Sequence, residues 1–108
     1  MALSEQEFRI KSDEALQQAR RGLMSLADED TGFELELQNG VLNLVFEEPS
    51  ETKFVVSPNA PVRQIWVSAM GKSYKLPWSP EQSAFALNGE TLTHLLDRLT
   101  RTFLRRSG

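Results

Sequence analysis

The chain has 108 residues, 40% of them hydrophobic and 25% charged, which fits one globular domain over residues 1–108 with a core of its own. It contains no cysteine, so disulfides, thiolate metal sites and an iron–sulfur cluster held by thiolates of this chain are excluded. No apolar run approaches the length of a membrane span, and the first eight residues resemble neither a signal nor a transit peptide. We therefore expect a cytoplasmic protein that does not enter a membrane.

Charge is divided unevenly along the chain. Residues 1–51 carry twelve acidic side chains against four basic ones, a net charge of −8, whereas residues 52–108 carry three against eight, a net charge of +5. No basic stripe is interleaved with aromatic residues, which argues against nucleic acid as a partner. A cation or a basic protein surface suits the first half better.

Both ends of the chain have the pattern of an amphipathic helix. Ser4 and Glu7 form a capping box, and the helix that it opens is expected to end near Ala27. Gly22 weakens this helix by about 1 kcal/mol relative to alanine. Asn88 is predicted to cap the second helix. The apolar stripes are Phe8, Ala15, Leu16, Ala19, Leu23 and Leu26 in the first helix and Leu92, Leu95, Leu96, Leu99 and Phe103 in the second.

Between the helices, short alternating or apolar segments predict strands. Asn39 and Gly40 give the strongest hairpin signal, and residues 77–80 are predicted as a rigid loop. The predicted strands cover residues 33–37, 41–46, 53–56, 61–69, 73–76 and 84–87. These elements predict an α+β fold, a two-layer sandwich with an antiparallel sheet of five to six strands. One face of the sheet is buried under both helices, and the other is wet.

Residues 61–69 place a tryptophan in the middle of a predicted strand. Period two directs Ile65, Val67 and Ala69 to the core and Gln64, Trp66 and Ser68 to the opposite face. An exposed tryptophan there is a candidate contact anchor, whereas a covering helix or loop would make it structural. The alternation does not decide between the two, but the predicted wet face favours exposure.

Five carboxylates lie close together in the first half of the chain. Glu34 and Glu36 alternate outward on one predicted strand, with α-carbons roughly 6.8 Å apart. Asp28, Glu29 and Asp30 lie just upstream. Such oxygen donors suit hard or borderline cations, and a site without thiolate or imidazole should be weak and keep several waters. A purely solubilising acidic surface is the competing interpretation.

The order of these features carries a family resemblance over about nine-tenths of the chain. The matching segments are the opening helix from Phe8, the acidic stretch, Asn39-Gly40-Val41-Leu42, Gln64-Ile65-Trp66, and Asn88-Gly89-Glu90-Thr91-Leu92 before a leucine-rich helix. No single segment is specific, but the ordered set resembles the frataxin family, above all its bacterial members. The resemblance implies the same sandwich, with the two helices packed side by side.

The resemblance also implies a function and its residues. It implies weak, surface-bound iron (Fe2+/Fe3+) on an acidic ridge, contact of that ridge with a cysteine desulfurase, and a role in iron–sulfur cluster assembly. It further implies that Gln64 and Trp66 contact the scaffold protein. Arg63 and Lys75 match positions that are often basic or polar in that interface, although simple solvation explains them equally well. Asn59 is a weaker match, since the two residues before it differ from the family pattern.

The first helix departs from the family pattern where acidic residues are usual. Arg20 and Arg21 stand there, and two arginines beside the ridge should lower its negative potential and weaken cation binding. The sequence leaves the identity and affinity of the metal open. It also leaves open whether the protein activates or inhibits cluster assembly, and whether iron drives oligomerisation.

The sequence shows no catalytic constellation, so we expect a protein that is not an enzyme. We also expect it to be a monomer. His94 is the single histidine, and Asp97 three residues later could pair with it. Two rival functions remain open. A ferroxidase or iron-storage activity is disfavoured because no helical Glu-x-x-His pair is present. A small acidic secretion chaperone would dimerise through apolar surface.

Overall fold

The structure, a computed structural model, describes residues 3–28, 33–47 and 50–105, apart from the side chain of Asp28. Its helices are α1 (Glu5–Asp28) and α2 (Leu92–Arg105), with a short 3-10 turn at Ala60–Val62. Its strands are β1 (Phe33–Gln38), β2 (Val41–Phe46), β3 (Thr52–Asn59), β4 (Gln64–Ala69), β5 (Lys72–Ser79), β6 (Ala84–Leu87) and β7 (Glu90–Thr91). The predicted α+β class is confirmed, with seven strands instead of five to six.

The sheet follows the chain in its strand order, so each strand lies beside its neighbours in sequence and is antiparallel to them. Three of its connections are two-residue turns in which both residues have positive φ. They are Asn39–Gly40 (53° and 75°), Met70–Gly71 (51° and 75°) and Asn88–Gly89 (52° and 84°). This is the type I′ geometry whose twist matches that of the flanking strands. The hairpin predicted at Asn39 and Gly40 is therefore confirmed.

Helix α1 begins as predicted and ends one residue later than expected, at Asp28. The Ser4 backbone N–H donates to Glu7 Oε1 over 3.0 Å, and the Glu7 N–H donates to Ser4 Oγ over 3.1 Å. The bond to the Ser4 backbone and then the bond to its hydroxyl lower the pKa of Glu7. This capping box satisfies two amide donors that the first turn leaves unpaired.

The predicted cap of α2 is wrong. Asn88 instead starts the turn between β6 and β7, and the two-residue strand β7 intervenes before the helix begins at Leu92. Thr91 is the residue that accepts a bond from the first turn, from the His94 N–H to its Oγ1 over 3.4 Å. Asparagine is favoured both at helix caps and in left-handed turns, so its identity alone did not separate the two.

Several strand boundaries also differ from the prediction; β3, for example, continues to Asn59 instead of ending at residue 56. Residues 60–62 form the 3-10 turn and Arg63 is left-handed (φ 52°, ψ 46°), so β4 begins only at Gln64. Residues 77–79, predicted as loop, continue β5. Pro77 is the last residue of β5 that pairs with β4, opposite Gln64, and Trp78 is the first that pairs with β6. A proline is tolerated there because the ladder changes partner at that point.

The core lies between the sheet and the two helices. Phe46 is at its centre, with ring centroids 5.1 Å from Phe33, 4.7 Å from Phe54 and 4.7 Å from Phe103. The helices lie side by side on this one face of the sheet and pack against each other, as the resemblance implied. Neither described helix is long and apolar enough to cross a membrane.

Candidate functional site: the open face of the sheet

The sheet face that turns away from the helices is the candidate site. Strand side chains alternate, so residues between the core positions project to this face, and the pairing register sorts them into rows. The rows are Glu34, Val45 and Lys53; Glu36, Asn43, Val55, Ser68 and Ser73; Ser57, Trp66 and Lys75; and Asn59, Gln64 and Pro77. We refer to these residues as the open face.

Trp66 lies on β4 in the open face and is 36% exposed, so no described helix or loop covers it. Its indole Nε1 donates to Gln64 Oε1 over 2.9 Å. Lys75, its direct partner on β5, places Nζ 4.8 Å from the ring centroid, in cation–π range. The predicted alternation is confirmed, and Gln64 and Lys75 both contact the indole.

Apolar surface extends from Trp66 towards β2. Val45 and Val55 are half-buried on the open face, although neither faces the helices. Neither valine stands out in the sequence, because the face it occupies follows from the pairing register between strands. The detectable signal was the residue type, since these outward positions hold valine where a fully solvated strand would carry charge.

Glu34 and Glu36 lie on the open face as well, both exposed, on the edge strand β1. By the pairing register, Glu34 and Glu36 share one sheet face with Trp66 and do not form a separate surface. With three strand spacings between β1 and β4, Trp66 is about 14 Å from their strand. The open face therefore runs from an acidic edge to an aromatic centre.

The proposed metal ligands can be placed only in part. The side chain of Asp28, together with Glu29 and Asp30, lies outside the described residues. Within the described part of the chain, no group of three or more histidine, cysteine, aspartate or glutamate side chains could hold a metal ion. Glu34 and Glu36 thus supply two carboxylates, and a site with more ligands would need the acidic residues at 28–30.

Arg63 and Asn59 occupy different positions relative to the indole. Asn59 pairs in register with Gln64 at the end of the open face and is half-buried. The Arg63 side chain turns to the start of the chain, where its Nε donates to the Leu3 carbonyl over 3.3 Å and its Nη1 donates to the Ala60 carbonyl. Arg63 thereby fastens the segment before α1 to the 3-10 turn.

His94 lies on α2, on the side of the molecule opposite the open face. It does not pair with Asp97, which instead accepts from Arg101 Nε at 3.1 and 3.2 Å. The His94 Nδ1 is 2.7 Å from Glu90 Oε2, and Arg98 donates two bonds to the same carboxylate over 2.8 and 2.9 Å. Chiefly through the Arg98 bonds, the pKa of Glu90 falls to about 2.

Comparison with known proteins supports the fold and the ordered motifs. The model of the frataxin-like domain matches residues 1–106 of the chain. The chain belongs to the frataxin family. Several relatives of the chain are named iron–sulfur cluster assembly protein CyaY.

Two of these frataxin relatives are from Pseudomonas. The protein of Pseudomonas syringae pv. syringae is 30% identical over 76 residues, which cover 67% of each chain. That of Pseudomonas aeruginosa is 33% identical over 75 residues, 68% of each chain. The Cupriavidus metallidurans protein is 35% identical over 68 residues, 62% of this chain and 60% of its own.

A solved frataxin structure, that of Psychromonas ingrahamii, superposes with a TM-score of 0.63. The match covers 97% of this chain and 92% of the other, at 16% sequence identity. At that identity the likeness establishes the shared frataxin fold of two helices on one antiparallel sheet.

Proposed function

We propose that this frataxin-family protein is a non-enzymatic accessory and regulatory protein of iron–sulfur cluster assembly. It contacts a scaffold protein through the centre of the open face and a cysteine desulfurase through the acidic part of the molecule. Iron is its cargo and binds weakly to surface carboxylates. The family membership and the names of the curated relatives support the pathway.

The proposed scaffold contact is inferred from the geometry around Trp66. Trp66 already contacts Gln64 and Lys75, so it loses little side-chain freedom when a partner covers it, and the burial of its exposed area is less offset by ordering. Val45 and Val55 extend this apolar area, and Glu34 and Lys53 supply charge at its edge. An apolar centre with a charged rim is the usual anatomy of a protein–protein interface.

Chemistry on bound iron is not part of the proposal. His94 belongs to the helix layer, whereas Glu34 and Glu36 project from the opposite side of the sheet. Within the described residues, no imidazole is therefore placed to join these carboxylates in a di-iron type of centre. Carboxylates and water alone suit reversible binding of a hard cation.

The test is the affinity of the purified chain for the scaffold protein, measured by titration calorimetry. Trp66→Ala should weaken binding by more than about tenfold, because a central tryptophan at an interface contributes about 2 kcal/mol or more. Ile10→Ala is the matched control, since it removes an exposed apolar side chain from α1.

Thermal unfolding of both variants would verify that the fold is kept. If Trp66→Ala binds the scaffold as tightly as wild type, the open face is not the scaffold site. If both variants weaken binding equally, the contact lies elsewhere or depends on stability, and the proposal for Trp66 also fails.

A further inference from the structure

The outward side of α1 carries two of the few large apolar side chains that the described residues expose. Ile10 is 55% exposed and Met24 is 41% exposed. Each is seven residues from Gln17, so the three lie on one line along the helix, opposite its buried stripe. This line faces away from the core.

Charges flank this line in a regular arrangement. Asp13 and Glu14 precede Gln17 by four and three residues, and Arg20 and Arg21 follow it by three and four. By helical angle, Asp13 and Arg20 lie on one flank of the line, and Glu14 and Arg21 lie on the other. Each flank therefore carries one acidic side chain before Gln17 and one basic side chain after it.

Among the described residues, Arg20 and Arg21 have no hydrogen-bond or ion-pair partner, and both are exposed. The acidic pair makes only local contacts: Asp13 Oδ2 accepts from Gln17 over 2.9 Å, and Glu14 is 3.9 Å from Lys11 Nζ. Exposed pairs of this kind contribute little and exchange easily.

We propose that the outward side of α1 binds the same surface of a second copy of this chain, antiparallel, about a two-fold axis at Gln17. The half-turn sets Ile10 against Met24 of the second copy. It also sets Asp13 against Arg20, and Glu14 against Arg21. Each contact occurs twice, as an interface between identical surfaces requires. The arginines that depart from the family pattern thereby acquire acidic partners.

The size of the contact makes this a weak dimer. Residues 10–24 span about 22 Å of helix, and paired helix axes lie about 8–10 Å apart. Such a strip buries far less than the roughly 1,600 Å² of a standard stable interface. The protein is therefore monomeric when dilute and associates at high concentration, more strongly at low salt because its ion pairs are exposed.

The adjacent helix adds little opposing charge to such a pairing. Two arginines of α2 are already paired in the same chain, Arg98 with Glu90 and Arg101 with Asp97. The proposed dimer uses no residue of the open face, so it is independent of the scaffold contact. Failure of either proposal leaves the other unaffected.

The experiment is sedimentation equilibrium of the full chain with a chelator present, from micromolar to millimolar protein. The average mass of wild type should rise from 12.2 kDa towards twice that value, and less so in high salt. Arg20→Glu/Arg21→Glu and Asp13→Arg/Glu14→Arg should each raise the dimer Kd by more than about tenfold, since four exposed ion pairs become like-charge contacts.

Mixing the two charge-reversed variants gives the decisive result. One variant then presents four acidic side chains to the four basic side chains of the other, so a mixed dimer should form more tightly than the wild-type dimer. A variant that dimerises alone as well as wild type would overturn the proposal. So would a mixture that stays monomeric, or a wild type that stays monomeric at millimolar concentration.

Orientation is tested by cross-linking, which is clean because the chain has no cysteine. In the antiparallel pair, Gln17→Cys places two thiols on the two-fold axis, so oxidation should yield a covalent dimer. Gln18→Cys, one residue further and on the flank of the helix, is the matched control and should cross-link far less. Equal cross-linking of both variants would overturn the proposed axis.

Discussion

The carboxylate of Glu90 joins strand β7 to helix α2 through one side chain. It lies on β7, accepts two bonds from Arg98 on α2, and is 2.7 Å from the His94 ring. Its side chain is only 20% exposed, whereas the Arg98 side chain is 52% exposed. The last hairpin and the last helix are held together by this cluster as well as by the chain itself.

Replacing Glu90 should change the acid stability of the protein. The pKa of Glu90 is lowered from 4.5 to about 2 in the folded state. Its contribution to stability is therefore fully present above pH 4.5 and is lost as the pH falls towards 2. Glu90→Gln should lower the free energy of unfolding by about 1–2 kcal/mol at pH 7, a value reduced for the exposure of its partners.

The measurement is urea unfolding of wild type and variant at several pH values. The difference between the two should shrink as the pH falls from 4.5 to 2. Asp97→Asn is the matched control, because its pair with Arg101 is more exposed, and it should cost about 0.5 kcal/mol or less. A Glu90→Gln difference that stays constant down to pH 2 would contradict the assignment.

Sequence patterns predicted the exposure of Trp66 but not its partners. The alternation of side chains along β4 predicts that the indole lies on the face opposite Ile65 and Val67, as the structure shows. The placement of Lys75 on the ring, and of Glu34 on the same face, depends on the register between strands. Register follows from turn lengths and the whole sheet, so alternation within single strands could not supply it.

At the scale of elements, Gly22 lies where α1 packs closely against α2. A Cβ added there would lie 2.8 Å from Cγ2 of Thr93 on α2. The sequence indicated only the cost of glycine within a helix, about 1 kcal/mol relative to alanine. The structure supplies the compensating reason, which is close packing against α2.

Gly22→Ala should therefore fail to stabilise the protein. The gain in helix propensity is about 1 kcal/mol, and displacing the Thr93 methyl costs about 1–3 kcal/mol, so we expect a net loss of about 1 kcal/mol. Adding Gly22→Ala to Thr93→Ser, which lacks that methyl, should instead gain about 1 kcal/mol over the Thr93→Ser variant. Chemical denaturation of the four chains gives both values, and a stabilising single variant would refute the steric explanation.

Turn chemistry was predicted best where a single interpretation was available. Asn39-Gly40 stands between two strand patterns and predicts a hairpin, whereas Asn88-Gly89 precedes a helical pattern, which favours a helix cap instead. The strand between Asn88-Gly89 and helix α2 is β7, which has only two residues. A strand so short has no periodicity of its own, and it exists because β6 lies beside it.

At the scale of the whole molecule, the acidic half of the chain is distributed over both layers. Asp13 and Glu14 lie on the helix side, and Glu34 and Glu36 lie on the open face. Charge counts along the sequence predicted this acidity but could not assign it to a surface. A basic desulfurase surface that contacts the edge of β1 would meet the second pair.

Glu34→Lys/Glu36→Lys should slow association with the desulfurase and reduce its dependence on ionic strength, because attraction between opposite charges chiefly accelerates encounter. The same variant should shift the backbone amides of residues 33–36 less on titration with ferrous iron. Stopped-flow binding at several salt concentrations and amide spectra provide the two measurements.

Asp13→Lys/Glu14→Lys is the control with equal net charge on the other layer. If both double variants slow the desulfurase equally, total charge rather than the β1 edge is responsible. That outcome would contradict the proposed location of the contact.

The sequential strand order has a consequence for how the nascent chain acquires its structure. Each hairpin can close as soon as its second strand emerges from the ribosome, because its partner was synthesised just before it. Helix α1 is synthesised first but packs against α2, which is synthesised last. The apolar stripe of α1 therefore stays partly uncovered until α2 has been synthesised, and during that interval it is open to non-native contacts and aggregation.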